Sequence, residues 1–191
     1  LFLGNIFCYI LLLYIILNLF YSTLIKSIYF LDVLTLSSFY TLRLISGGII
    51  NDISLSPWLI SFSVFFFLFL ALIKRIGEIK NFVKDDKVMY GRSYDEKVLD
   101  ITKYIIYFSS FISLLLLIMY FFSEKALTLY NNVHVLILIC PLIIIWKVRL
   151  YRAAMQNNMH DDPIVYIVKD KLSWLLLAFT SLIIISQMKI W

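Results

Sequence analysis

Polar positions along this chain come in short bursts, separated by nearly unbroken apolar runs of roughly 17 to 22 residues. Six runs can be marked, at residues 1–20, 33–50, 57–73, 101–122, 133–146 and 172–188, the fifth shorter at 14 residues. About 20 helical residues at about 1.5 Å each cross a hydrocarbon core of about 30 Å. The pattern therefore predicts an all-α integral membrane protein, a six-span bundle forming one transmembrane domain over residues 1–191. Asn5 and Asn18 interrupt the first run, where an amide can hydrogen-bond within a bundle. Gly47-Gly48 closes the second and suits close packing or helix termination, Pro57 opens the third, and Pro141 is expected to kink the fifth.

Composition sharpens this. Hydrophobic residues make up 62% and charged residues 15% of the 191, more apolar surface than a soluble domain can hide. Cys8 and Cys140 both fall inside apolar runs without metal-type spacing and read as packing residues. The chain opens Leu1-Phe2-Leu3-Gly4, with neither Met nor a basic stretch, and so reads as the interior of a longer, N-terminally truncated protein rather than as a signal peptide.

Charge sets an expected orientation. Lys26 follows the first run, a long polar segment from Lys74 to Asp100 follows the third, and a second from Lys147 to Lys171 follows the fifth. The connections after the second and fourth runs hold only Lys125. By the positive-inside rule the basic connections face the cytoplasm of a cell (inner) membrane, and the excess of cations reflects lipid surface, not nucleic acid.

Two polar clusters then stand out. The first contains Tyr21, Ser22, Lys26 and Asp32 and runs into a helix carrying Arg43; the second is Lys74-Arg75-Ile76-Gly77-Glu78. An arginine near the centre of an apolar helix costs about 2.5 to 3.5 kcal/mol on insertion scales and is kept where an anion or a wet cavity compensates it. Asp32, Thr35 or Ser38, Phe39, Arg43, Ser46 and Gly47 form a helical stripe, so Arg43 is expected to face a polar cavity or, alternatively, a buried acid. Lys74 and Arg75 beside Glu78 could take phosphate oxygens while the carboxylate holds Mg²⁺. Arg92 belongs to a loop that reads either as headgroup-facing or as part of the same site, and Asp161, Asp162 and Asp170 around Pro163 suit a turn and a helix start. His134 and His160 have no partner at metal-ligand spacing.

Taken together, Tyr21-Ser22, Lys26, Leu31-Asp32-Val33, Leu42-Arg43, Gly47-Gly48, Pro57-Trp58-Leu59, Lys74-Arg75 with Glu78, Asp162-Pro163 and Asp170-Lys171 resemble the later part of a UbiA-type polyprenyltransferase, in particular its decaprenyl-phosphate phosphoribosyltransferase branch. The resemblance implies helices four to nine of a nine-helix fold and transfer of a 5-phosphoribosyl group from phosphoribosyl diphosphate to a polyprenyl phosphate, with Mg²⁺ as cofactor. It implies catalytic roles for Lys26, Arg43, Lys74 and Arg75, substrate contacts from those residues with Tyr21, Ser22, Asp32 and Arg92, and Glu78 as metal ligand. The family's first acidic motif would precede Leu1, so this stretch alone is expected to be inactive, and a single carboxylate stands where most of the superfamily has two. The partners implied are both substrates and membrane lipids, with no nucleic acid; a homo-oligomer is compatible with them. Competing readings are prenyl transfer to an aromatic acceptor such as 4-hydroxybenzoate, and a non-enzymatic transporter or scaffold in which Arg43 is a structural ion-pair partner. The Phe65-Phe66-Phe67 run is expected to contact lipid.

Overall fold

A computed structural model describes residues 5–84, 96–156 and 163–189. It is all-helical: α1 Asn5–Thr23, α2 Tyr29–Ile50, α3 Pro57–Lys84, α4 Glu96–Phe121, α5 Glu124–Leu129, α6 Val133–Leu136, α7 Ile139–Met155, α8 Pro163–Lys169 and α9 Lys171–Gln187. Four stretches are long and apolar enough to cross a membrane, at Tyr29–Ile50, Pro57–Lys80, Val98–Phe121 and Val133–Met155; Cys8–Thr23 and Lys171–Gln187 are shorter apolar helices.

Helices outlast the apolar runs that mark them. α3 continues beyond residue 73 to Lys84, and α7 beyond Trp146 to Met155, so Lys74, Arg75, Glu78, Lys147, Arg149 and Arg152 all lie on helices and not in connections. Hydropathy marks where a helix leaves lipid, whereas a chain free of helix breakers goes on coiling after that point. Pro141 acts as a break four residues upstream. Its ring clashes with the carbonyl at Ile137, and the chain passes from α6 to α7 through a turn at Ile137–Leu138, where Cys140 donates to Ile137 O at 3.0 Å. Gly48 sits where α2 turns back towards α3: a Cβ there would lie 2.9 Å from the Leu55 side chain. Asp52 in that turn has φ 52°.

The basic ends of the helices gather on one side. Lys80 Nζ donates to Met155 O at 2.7 Å, joining the ends of α3 and α7, and Tyr29 at the start of α2 bonds Thr102 near the start of α4. At the other end Lys125 reaches Ser54 at 2.7 Å and Asn131 N donates to Gln187 O at 2.8 Å. Two apolar cores follow this division. Val33, Phe69, Leu72, Ile73, Ile76, Ile106 and Leu150 fill the basic end, while Leu117, Phe121, Val133, Leu136 and Ile139 fill the other. Small hydroxyl residues line the helix contacts, as membrane bundles favour; buried Ser37, for example, donates to Val64 O at 2.8 Å. Phe66 stacks on Trp146 with centroids 5.7 Å apart, and Phe67 stacks on Tyr40 at 5.2 Å. Both rings are half-buried, so aromatic partners on neighbouring helices hold one side of each and leave the expected lipid contact to the rest.

Candidate functional site at the basic end

The site begins with one buried guanidinium. Because α3 runs on to Lys84, Arg75 and Glu78 occupy one face at a spacing of three residues and form an ion pair. Asp32, in the first turn of α2, supplies the second carboxylate: Arg75 Nη2 donates to Asp32 Oδ1 at 3.1 Å, and Nε faces Oδ2 at 2.7 Å, off the hydrogen-bonding axis, so that contact is coulombic. Tyr21, near the end of α1, donates from Oη to Asp32 Oδ1 at 2.8 Å, and Arg75 Nη2 lies 3.4 Å from the same phenol. Arg75 is 2% exposed, Asp32 0% and Glu78 19%. Three helices therefore converge on a four-residue cluster whose rim opens at Glu78. Counting Asp32, Glu78 and Arg75 alone, it carries one formal negative charge.

At the same end, Lys26 is exposed on a 3-10 turn over Ile25–Ser27 and Lys74, beside Arg75 on α3, is half-buried. Ser22 is exposed, and its hydroxyl donates to Leu19 O of its own helix at 3.0 Å. Arg43 does not join them. It lies eleven residues beyond Asp32 on α2, about 16 Å along the axis at about 1.5 Å per residue, and its Nη2 donates to Tyr14 Oη at 2.5 Å. The guanidinium also lies 5.3 Å from the centre of the Tyr40 ring. On the proposed stripe Asp32 and Phe39 are buried, whereas the Thr35, Ser38 and Ser46 hydroxyls bond back to carbonyls of α2 itself. Arg92, Asp161 and Asp162 lie outside the described residues.

Two carboxylates sharing one guanidinium make a poor metal cage. Among the described residues no group of three His, Cys, Asp or Glu could hold a metal ion, and the Glu78 carboxylate is engaged by Arg75.

Two further polar centres occupy α7. Lys147 is 3% exposed: its Nζ donates to Ser113 Oγ on α4 and lies 4.9 Å from the Phe69 ring centre and 5.5 Å from that of Phe66. The sequence reading puts it in a cytoplasmic connection; the missed signal is the breaker-free stretch after Pro141, which lets the helix run through it. Arg149 donates from Nε and Nη2 to Asp170 at 3.1 and 2.8 Å, while Asp170 accepts from Ser173 N at 3.0 Å and starts α9. The Arg149 guanidinium, aided by Ser173, holds the Asp170 carboxyl down at about 2. Asp170 is thus a helix cap and ion-pair partner.

These features define a class: a protein whose described residues are all-helical, with four helices among them long and apolar enough to cross a membrane and an arginine-centred carboxylate cluster at its basic end. No family model matches the chain. It is 35% identical over 164 residues to the uncharacterized protein y4nM of Sinorhizobium fredii, covering 84% of this chain and 32% of that protein. It is 25% identical over 158 residues to the nodulation protein NoeC of Azorhizobium caulinodans, covering 82% of this chain and 52% of that one. The chain thus spans about a third and about half of these relatives.

Proposed function

We propose that this chain is the later part of a UbiA-type membrane transferase of the decaprenyl-phosphate phosphoribosyltransferase branch, transferring a 5-phosphoribosyl group from phosphoribosyl diphosphate to a polyprenyl phosphate. The observation that carries the reading is the meeting of Tyr21, Asp32, Arg75 and Glu78 from three helices at the end where Lys26 and Lys74 lie. In it α1 and α9 also cross the membrane, at 19 and 17 residues and about 1.5 Å each, giving six spans with the cluster facing the cytoplasm. The bond from the sugar C1 to the diphosphate breaks and a lipid phosphate oxygen bonds to C1. Lys26 and Lys74 receive charge on the departing diphosphate. Arg75, already gripped by Asp32 and Glu78, orients those carboxylates. Arg43 stands outside this grip. Mg²⁺, when bound, would neutralise diphosphate charge; Glu78 is the carboxylate nearest the rim, and the remaining ligands would come from beyond the described side chains.

Membranes containing the full-length protein, fed labelled phosphoribosyl diphosphate or labelled prenyl diphosphate, test the assignment. Label should enter a lipid phosphate from the first. Label passing to an aromatic acceptor from the second would transfer the reading to aromatic prenylation. A non-enzymatic scaffold is favoured by one observation, the engagement of Arg75 by its own acids Asp32 and Glu78; no transfer of label from either donor, with the protein present and folded in the membranes, would support it.

A further inference from the structure

The last three turns of α7 carry a stripe that changes character along its length. Ile145, Val148, Arg149, Arg152 and Gln156 recur at three- and four-residue steps, so they share a face. Its first part is apolar and open to the surroundings, with Ile145 53% and Val148 44% exposed; its last part is cationic. Tyr166 of α8 and Leu172 of α9 form the opposite wall of a cleft of about 640 Å³. Arg149 spends Nε and Nη2 on Asp170 and is also faced by the Tyr166 hydroxyl, leaving Nη1 outside the Asp170 pair. The exposed Arg152 side chain makes no hydrogen bond or ion pair with a described residue. The two arginines and Asp170 leave one formal positive charge in the cleft.

None of the residues lining this cleft belongs to the Arg75 cluster, and its chemistry differs. We propose that it binds one anionic phospholipid: the headgroup phosphate sits on Arg152 and Arg149 Nη1, and an acyl chain descends along Val148 and Ile145. From Ile145 to Arg152 is seven residues, about 10 Å along the helix, which matches a ligand with a charged head and an apolar tail rather than a small anion. Basic pockets between membrane helices at the cytoplasmic side take such headgroups, and a guanidinium suits phosphate geometry.

The test is thermal unfolding of the full-length protein in neutral detergent with added phosphatidylglycerol, phosphatidylcholine or inorganic phosphate. A ligand at about ten times its Kd raises Tm by about 1–3 °C for a protein larger than this chain, and that rise is expected with phosphatidylglycerol only. Arg152→Gln, which breaks no hydrogen bond or ion pair with a described residue, should abolish it, while Lys103→Gln, removing a half-buried cation on α4 that pairs with Asp100, should keep it. A full rise in Arg152→Gln overturns the site. An equal rise with phosphatidylcholine overturns charge recognition, and an equal rise with inorganic phosphate overturns the lipid.

Discussion

Arg75 and Lys147 are both buried cations on apolar helices, 2% and 3% exposed, yet the bundle treats them in opposite ways. Arg75 has two carboxylates and a phenol, drawn from α1, α2 and its own helix. Lys147 has a hydroxyl, the Ser110 carbonyl at 3.4 Å and two aromatic faces, with no acid paired to it among the described residues. A guanidinium offers five donors in a fixed fork and so needs acceptors from several directions; an ammonium is a compact charge that one polar contact and two rings can seat. The first cation thereby organises three helices around itself. The second joins α7 to α3 and α4 without changing the charge of any neighbour.

That contrast has an energetic side, since removing one partner of a buried ion pair leaves the other charge stranded. Asp32→Ala removes one of the two carboxylates that hold Arg75 and should destabilise by about 3–5 kcal/mol, read as a loss of folded protein in thermal or denaturant unfolding of the detergent-solubilised chain. Joint replacement Asp32→Leu with Arg75→Met should recover most of that loss, because no charge is then orphaned, while any transferase activity stays lost. A single Asp32→Ala variant as stable as wild type would show that the pair does not organise the bundle. Tyr21→Phe deletes one hydrogen bond to the buried carboxylate and should cost about 2 kcal/mol by the same measurement.

Further out, the Arg149 and Asp170 pair provides a surface counterpart. Arg149 is 41% exposed, so solvent screens the attraction and the pair contributes about 1 kcal/mol at most. Asp170 titrates at about 2 when folded, below the ordinary aspartate value of about 3.9. Its stabilisation is therefore fully present above about pH 4 and is lost as pH falls through about 2. Asp170→Asn should remove that component of the acid transition and reduce the salt sensitivity of unfolding. The Asp32 and Arg75 pair, shielded from solvent, should show little salt dependence. An acid profile between pH 4 and 2 identical in wild type and Asp170→Asn would mean the pair is too well screened to matter.

The two cations also differ in how far the sequence discloses them. Arg75, Glu78, Asp32 and Tyr21 are visible as polar residues beside apolar runs, and a three-residue helical spacing already puts Arg75 and Glu78 together. Arg43 shows where such reasoning stops. Eleven residues separate it from Asp32, which is nearly a whole number of turns and so one face, but the same eleven residues carry it about 16 Å away. Periodicity gives direction around a helix; depth has to come from the partner helix, here through Tyr14. Lys147 was illegible for another reason. It follows Trp146 at the edge of an apolar run, and only the continuation of α7 to Met155 with Leu150 and Ala154 buried beside it turns a loop lysine into a core one.

Lys147→Met is accordingly the finest test of the contrast, and the smallest expected effect. Methionine keeps the length and packing of the side chain against Phe66 and Phe69 while removing the charge. What is lost is a hydrogen bond to Ser113 and a cation–π contact of about 0.5–2 kcal/mol; what is gained is release from burying an ammonium in a low-dielectric core. Because no carboxylate is stranded, these should nearly cancel and stability should change by less than about 1 kcal/mol, against the several expected for Asp32→Ala. A loss as large as that of Asp32→Ala would mean that Lys147 has a counter-charge among residues beyond those described, and the two cations would then belong to a single kind of site.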